Sequence, residues 1–179
     1  MSAKLYTPAD LRRSIPRPVP SSFNSGLTSP SADWMEEFFG SPELKATQRK
    51  LKIVTESVGP FKVTGMAIAV LGLRHIFEDV KEAGRTDLLT VKTDGMYNLR
   101  KIREREEWSN HSWGCAVDIN FGDGEEMGDG LIQFGLREIY PFFHARKWYS
   151  GLGYKNREDA MHMEPSVELL ELWRQLGLL

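Results

Sequence analysis

The stretch that most limits what this chain can become is Ser109-Asn110-His111-Ser112-Trp113-Gly114-Cys115-Ala116-Val117-Asp118-Ile119-Asn120, where a histidine, a glycine and a carboxylate converge among apolar residues. From Cys115 onward the residues alternate in the manner of a strand. A strand here therefore puts Ala116, Asp118 and Asn120 on one face and Val117 and Ile119 on the other. Asp118 then projects from a sheet with a dry layer behind it. His111 lies seven residues earlier, an odd offset that would place it on the opposite face of an unbroken strand. Gly114 is the point where the backbone can turn and bring it back. His111 and Asp118 then face one ion and form half of a metal site.

A zinc site that does chemistry usually takes three protein ligands and one water, so a third ligand is required elsewhere. Asp159-Ala160-Met161-His162-Met163-Glu164, near the C-terminus, supplies a candidate. Met161 and Met163 alternate with His162 and Glu164, which suits a second short strand with the polar pair facing the site and the methionines in the core. Asp159, three residues before His162, is placed to reach metal-bound water from the preceding loop. Glu164 follows on the face of His162, where a carboxylate can orient the imidazole rather than bind the ion itself.

The pattern Ser-x-His-x-x-Gly-x-Ala-x-Asp at Ser109, His111, Gly114, Ala116 and Asp118, followed by Asp-x-x-His-x-Glu at Asp159, His162 and Glu164, resembles the M15 family of zinc D-Ala-D-Ala carboxypeptidases and L-Ala-D-Glu endopeptidases. That family cuts bacterial peptidoglycan stem peptides. The resemblance extends upstream to Tyr97-Asn98-Leu99-Arg100, where relatives carry Tyr-x-x-Arg, and through Gly151-Leu152-Gly153-Tyr154. It implies that His111, Asp118 and His162 hold Zn²⁺ and that Asp159 is the general base. Together with the position of Arg100 shortly before the zinc motif, the resemblance places that residue in the cleft rather than on a solvated surface; Ser109, two residues before His111, either contacts substrate from that face or fixes the turn before His111, and Tyr97 is read as a substrate contact. The stem peptide is then the substrate, and the fold is of the hedgehog and DD-peptidase type. Because that scaffold also serves hedgehog signalling domains, a zinc-stabilised cell-wall or protein binding module without hydrolysis is the alternative; a retained base at Asp159 argues against it.

The 179 residues are the size of one domain, and 41% hydrophobic with 27% charged residues is the composition of a soluble globular protein. A net charge of -2 spread along the chain gives no basic footprint for nucleic acid. No apolar run approaches a membrane span, and the first 30 residues lack the apolar core of a signal peptide. The expectation is a protein made in the cytoplasm that acts on the cell wall by an export route the chain does not show. Its oligomeric state is not encoded in any feature. The single cysteine, Cys115, cannot form an internal disulfide and falls on the strand face away from Asp118, so it is read as a core side chain.

Residues 1–46 are rich in Pro, Ser and Gly, and are expected to wrap a single domain spanning 1–179 and to line one side of its cleft. Within them one helix is expected over Ala32 to Phe39, capped by Ser31, and the remainder as loop. Lys52 to Thr55 and Phe61 to Thr64 predict two strands, and Leu89 to Thr93 a third. Apolar spacing predicts helices over Ala67 to Ala83, stopped at Gly84, and Leu131 to Tyr140, interrupted at Pro141. A last helix after Ser166 buries Leu169, Leu170, Trp173 and Leu176. His75 and His144 are read as packing or surface residues. The acidic loop Phe121 to Gly130 invites a calcium reading, but against the EF-hand template the obligatory glycine is Asp123 and the twelfth position is Asp129, so it is read as a solvated loop. About three longer helices beside the short one over Ala32 to Phe39, and five or six short strands that do not alternate regularly with them, give an α+β fold, with a small, mostly antiparallel sheet and helices packed around it.

Overall fold

The computed structural model describes residues 4–122 and 129–179. Among these the order is α1 (Pro8–Arg12), β1 (Ser14–Pro16), α2 (Ala32–Phe39), α3 (Lys45–Leu51), β2 (Ile53–Ser57), β3 (Lys62–Met66), α4 (Ala67–Glu82), β4 (Lys92–Gly95), β5 (Val117–Asn120), β6 (Leu131–Gln133), α5 (Phe134–Ala145), β7 (Trp148–Ser150), β8 (His162–Pro165) and α6 (Val167–Gln175), with short 3₁₀ turns between them. The architecture is α+β with small antiparallel sheets, as the element pattern predicts. Positions 123–128 of the acidic loop, which include Asp123 of the calcium comparison, lie outside the described residues.

The sheet that matters for chemistry has four strands in the order β4-β5-β8-β7, all antiparallel. Its two central strands pair Val117 with Met163 and Asp118 with His162. This register makes Asp118 and His162 cross-strand neighbours, whose Cβ atoms in an antiparallel pair lie about 4.5–5.5 Å apart. Behind them Val117, Ile119 and Met163 are fully buried, as is Cys115 just before the strand. Helix α4 packs against α5 over this core, burying Ala69, Val70, Leu73, Ile76, Phe77 and Val80 at the helical spacing read from the sequence. Phe143 bridges Phe77 and Trp148 through two edge-on ring contacts, joining α4, α5 and β7.

Several expected boundaries move. The N-terminal segment is more than one helix and loop. Thr7 and Asp10 form a reciprocal capping box that starts α1, and β1 pairs with β6, setting Ile15 against Ile132. The three residues of β1 are too few to show a period, so only the distant partner defines them. The predicted helix from Leu131 starts later, at Phe134, because the three residues before it form that partner strand. It then runs through Pro141 to Ala145, costing the one helical bond that proline's missing N–H cannot make while keeping Ile139 and Phe143 in the core. In place of a strand over Leu89 to Thr93, a 3₁₀ turn spans Thr86–Thr90, closed by Thr90 Oγ1 donating to the Asp87 carbonyl, and β4 begins at Lys92. Leu176 leaves the buried stripe of α6 because the helix ends at Gln175, and it is 62% exposed.

Candidate metal centre and cleft

His111 belongs to a 3₁₀ turn over Asn110–Trp113 rather than to a strand, and Gly114 follows it with φ +67. A side chain at Gly114 would be strained by that dihedral and would also meet the Met66 amide nitrogen at 2.9 Å, so the reversal that carries His111 back to Asp118 requires glycine. The turn is pinned from several sides. Ser112 Oγ donates to the Arg100 carbonyl, and Trp113 Nε1 donates to the carbonyl of Gly40, at the end of α2. His111 Nδ1 lies 2.9 Å from the Met96 carbonyl oxygen, which turns Nε2 toward Asp118.

Asp118 stands between the two imidazoles. Its Oδ2 is 3.2 Å from His111 Nε2 and its Oδ1 is 3.3 Å from His162 Nδ1. These approaches are not aligned as hydrogen bonds, and both His111 Nε2 and Asp118 Oδ1 are buried without a hydrogen-bond partner. Buried polar atoms are normally satisfied, so orphans aimed at one point fit a shared cation. One donor atom from each of His111, Asp118 and His162 lies within 4.8 Å of the other two, which is the spacing a single metal ion can bridge. Burial opposes the charge on Asp118, yet the contacts with His111 and His162 hold its carboxyl well below the usual carboxylate range.

His162 is held from its other side. Its Nε2 lies 3.0 Å from Glu164 Oε2, so Nδ1 is the nitrogen left for the ion. Burial pulls its pKa down, but the charge of Glu164 and the contacts with Asp118 raise it well above the ordinary histidine value. Glu164 is fully buried. Burial would raise its pKa, but the charge on His162 and the hydrogen bonds from His162, Asn110 and Ser29 bring it below the usual glutamate value.

This cluster opens into a cavity of about 420 Å³ bordered by three segments: residues 29–33, the irregular hairpin from Arg100 to Ser109, and residues 154–159. Asp159 lies buried on its wall with Oδ2 2.8 Å from Arg157 Nη2, and the Asp159 carbonyl accepts from the His162 amide. Gly151 makes this packing possible, because a Cβ there would run into that same carbonyl oxygen. Ser109 also lines the cavity, as does Arg100, whose Nη2 is 4.0 Å from Asp118 Oδ2. Tyr97 is half-buried and is not part of the lining, so the structure does not bring it to the cleft with the others. Glu158, next to Asp159, is turned away to accept from the Gly130 amide. Cys115 is buried and does not join the ion-facing atoms.

Residues 103–165 match a family model described as D-alanyl-D-alanine carboxypeptidase. This segment is similar to the M15 peptidases. The match covers just over a third of the chain, and it contains His111, Asp118, Asp159, His162 and Glu164 while leaving Tyr97 and Arg100 outside. No curated protein matches the chain. The M15 peptidases are metallopeptidases, and the His–Asp–His cluster is where this chain can hold an ion.

Four polar residues at the cleft escape a reading of the sequence. Asn110, Ser29 and Tyr154 all donate to Glu164, and Arg157 pairs with Asp159. Arg157 sits two residues from its partner and could have been found by charge proximity. Ser29, 135 positions from Glu164, has no local sign at all.

Proposed function

We propose that the chain is a Zn²⁺-dependent peptidase that hydrolyses peptide bonds in bacterial peptidoglycan stem peptides, as a D-Ala-D-Ala carboxypeptidase or an L-Ala-D-Glu endopeptidase. The observation that carries this reading is the convergence of His111, Asp118 and His162 on one point beside a cleft that also contains Asp159. Two imidazoles and one carboxylate are a donor set that suits Zn²⁺ with a position left open. When bound, such an ion supplies Lewis acidity, acidifying water and polarising a carbonyl.

The remaining work falls to the side chains. Asp159 accepts the proton of the attacking water and returns it to the departing amine, with Arg157 fixing the carboxylate in the wall of the cleft. Arg100, 40% exposed and close to Asp118, offers forked donors to a developing oxyanion or to a substrate carboxylate. Ser109 supplies a hydroxyl on the same wall. No described helix is long and apolar enough to cross a membrane, and action at the cell wall is part of this proposal.

Mass analysis of purified peptidoglycan digested with the protein tests it. Release of free alanine identifies the carboxypeptidase, and new amino-terminal glutamate identifies the endopeptidase. If walls of several peptide chemistries yield no fragment, hydrolysis is wrong and the metal-stabilised binding module takes its place.

A further inference from the structure

Glu164 has a requirement that its own strand cannot meet. An ionised carboxylate removed from water must be matched by donors, and four reach it. Oε2 lies 3.0 Å from His162 Nε2 and accepts from Asn110 Nδ2 at 2.7 Å; Oε1 accepts from Tyr154 Oη at 3.0 Å and from Ser29 Oγ at 2.7 Å. Three of the four belong to the segment that matches the peptidase family, whereas Ser29 comes from the N-terminal part of the chain.

The chain around Ser29 is fastened on both sides. Asn24 grips the backbone of Ser150 at both ends, its Nδ2 donating to the carbonyl at 2.8 Å and its Oδ1 accepting from the amide at 2.9 Å. The Thr28 carbonyl accepts from the Val167 amide, while its own amide and hydroxyl both donate to the Glu168 carboxylate. The Pro30 carbonyl accepts from Asn110 Nδ2, the same group that donates to Glu164.

We propose that residues 24–30 are a strap that tunes the metal centre, with Ser29 as a positioning residue: its hydroxyl orients Glu164, Glu164 orients the His162 imidazole, and the affinity for a divalent ion depends on that chain of contacts. The inference rests on the metal reading given above. Without the Ser29 hydroxyl, Oε1 keeps only the Tyr154 phenol. The terminal torsion of a glutamate is broad, so the carboxylate is then free to turn and draw Oε2 away from Nε2. Loss of an outer partner of a metal-binding imidazole typically weakens affinity by about 10- to 100-fold. Ser29 stands one contact further out, so its effect belongs at the low end of that range, roughly tenfold.

Competition of the full chain with a chromophoric chelator for Zn²⁺, run on the parent, Ser29→Ala, Ser29→Thr and Tyr154→Phe, tests this, with thermal unfolding of the ion-free proteins measured alongside. Ser29→Ala is expected to bind Zn²⁺ about ten times more weakly, Ser29→Thr to restore the parent value, and Tyr154→Phe to weaken binding by loss of the other donor on the same oxygen. Parent-like affinity in Ser29→Ala, or a loss that Ser29→Thr does not restore, overturns the strap while leaving the metal site standing. A weakened Tyr154→Phe beside an unaffected Ser29→Ala also overturns it. A parent that binds no Zn²⁺ is a separate outcome, which removes the metal reading and the strap with it.

Discussion

Asp159 differs from His111, Asp118 and His162 in its bonding: its carboxylate is tied to Arg157, whereas the donor atoms of those three side chains turn toward one another. Asp159→Asn is therefore expected to leave one ion bound while slowing peptidoglycan turnover by about 10²- to 10⁴-fold, the usual contribution of a general base. Elemental analysis and fragment release on the same preparation check both halves. Asp118→Asn should instead weaken the binding itself, since the anionic ligand is lost. Gly151→Ala should fail differently again: its Cβ collides with backbone rather than a movable side chain, and destabilisation of about 1–3 kcal/mol in urea unfolding is expected. At this scale the ion-facing residues were legible because each lies in a short motif whose spacing has a chemical reason. The donors to Glu164 were not, because hydroxyl and amide groups at Ser29, Asn110 and Tyr154 look like ordinary polar residues until the fold sets them around a buried charge.

Elements were legible in proportion to their length and periodicity. Helix α4, whose apolar positions recur over 16 residues, falls where its pattern puts it, and so do the Ser31 and Ser166 caps, whose side chains accept from Trp34 and Leu169 amides. Ser166→Ala is expected to cost about 1 kcal/mol in urea unfolding through the lost cap. The paired segments β1 and β6 were not legible, since three-residue strands draw their identity from a partner more than a hundred positions away. Pro141 was misleading for a related reason. Local propensity argues for a break, but burial of Ile139 and Phe143, at about 1.5–3 kcal/mol each, outweighs the roughly 3 kcal/mol that an interior proline costs through its missing bond and ring clash. The reversal before β5 is legible at Gly114, whereas the 3₁₀ turn over Asn110–Trp113 ahead of it has no local sign, because four residues are too few to show a period.

Across the whole molecule, one buried ion pair ties the N-terminus to the body of the protein. Arg85 donates twice to Asp87, both at 3.0 Å, and the Tyr6 amide donates to the same carboxylate. Burial raises the pKa of Asp87, but Arg85 and Tyr6 bring it below the ordinary value. A depressed folded-state pKa contributes stability above the unfolded value, about 3.9 for aspartate, and that contribution is lost as pH falls through the lower folded value. Asp87→Asn should therefore destabilise the protein by roughly 2 kcal/mol at pH 7, with the gap to the parent narrowing near pH 3, as read by urea unfolding at both pH values. The metal centre acts at the same scale. Because it joins residues 111 and 162 only in the folded chain, an ion at a hundred times its Kd should add about 2.7 kcal/mol, seen as a rise in Tm that a chelator reverses.

The lone thiol of Cys115 turns the core of this centre into a clock. It sits between the His111 turn and the Asp118 strand, has no exposed surface, and burial followed by the charge of Glu164 pushes its pKa well above that of a free thiol. Only the thiolate attacks a disulfide reagent, displacing the reagent's other sulfur as a thiolate, so the folded protein should be inert and each labelling event should record a departure of this strand from the sheet. If that departure also breaks the ion site, Zn²⁺ should slow labelling by the factor 1 + [Zn²⁺]/Kd, giving the affinity from a rate with no substrate present. Labelling that ignores Zn²⁺ would mean that the thiol becomes accessible through an opening in which His111, Asp118 and His162 stay together.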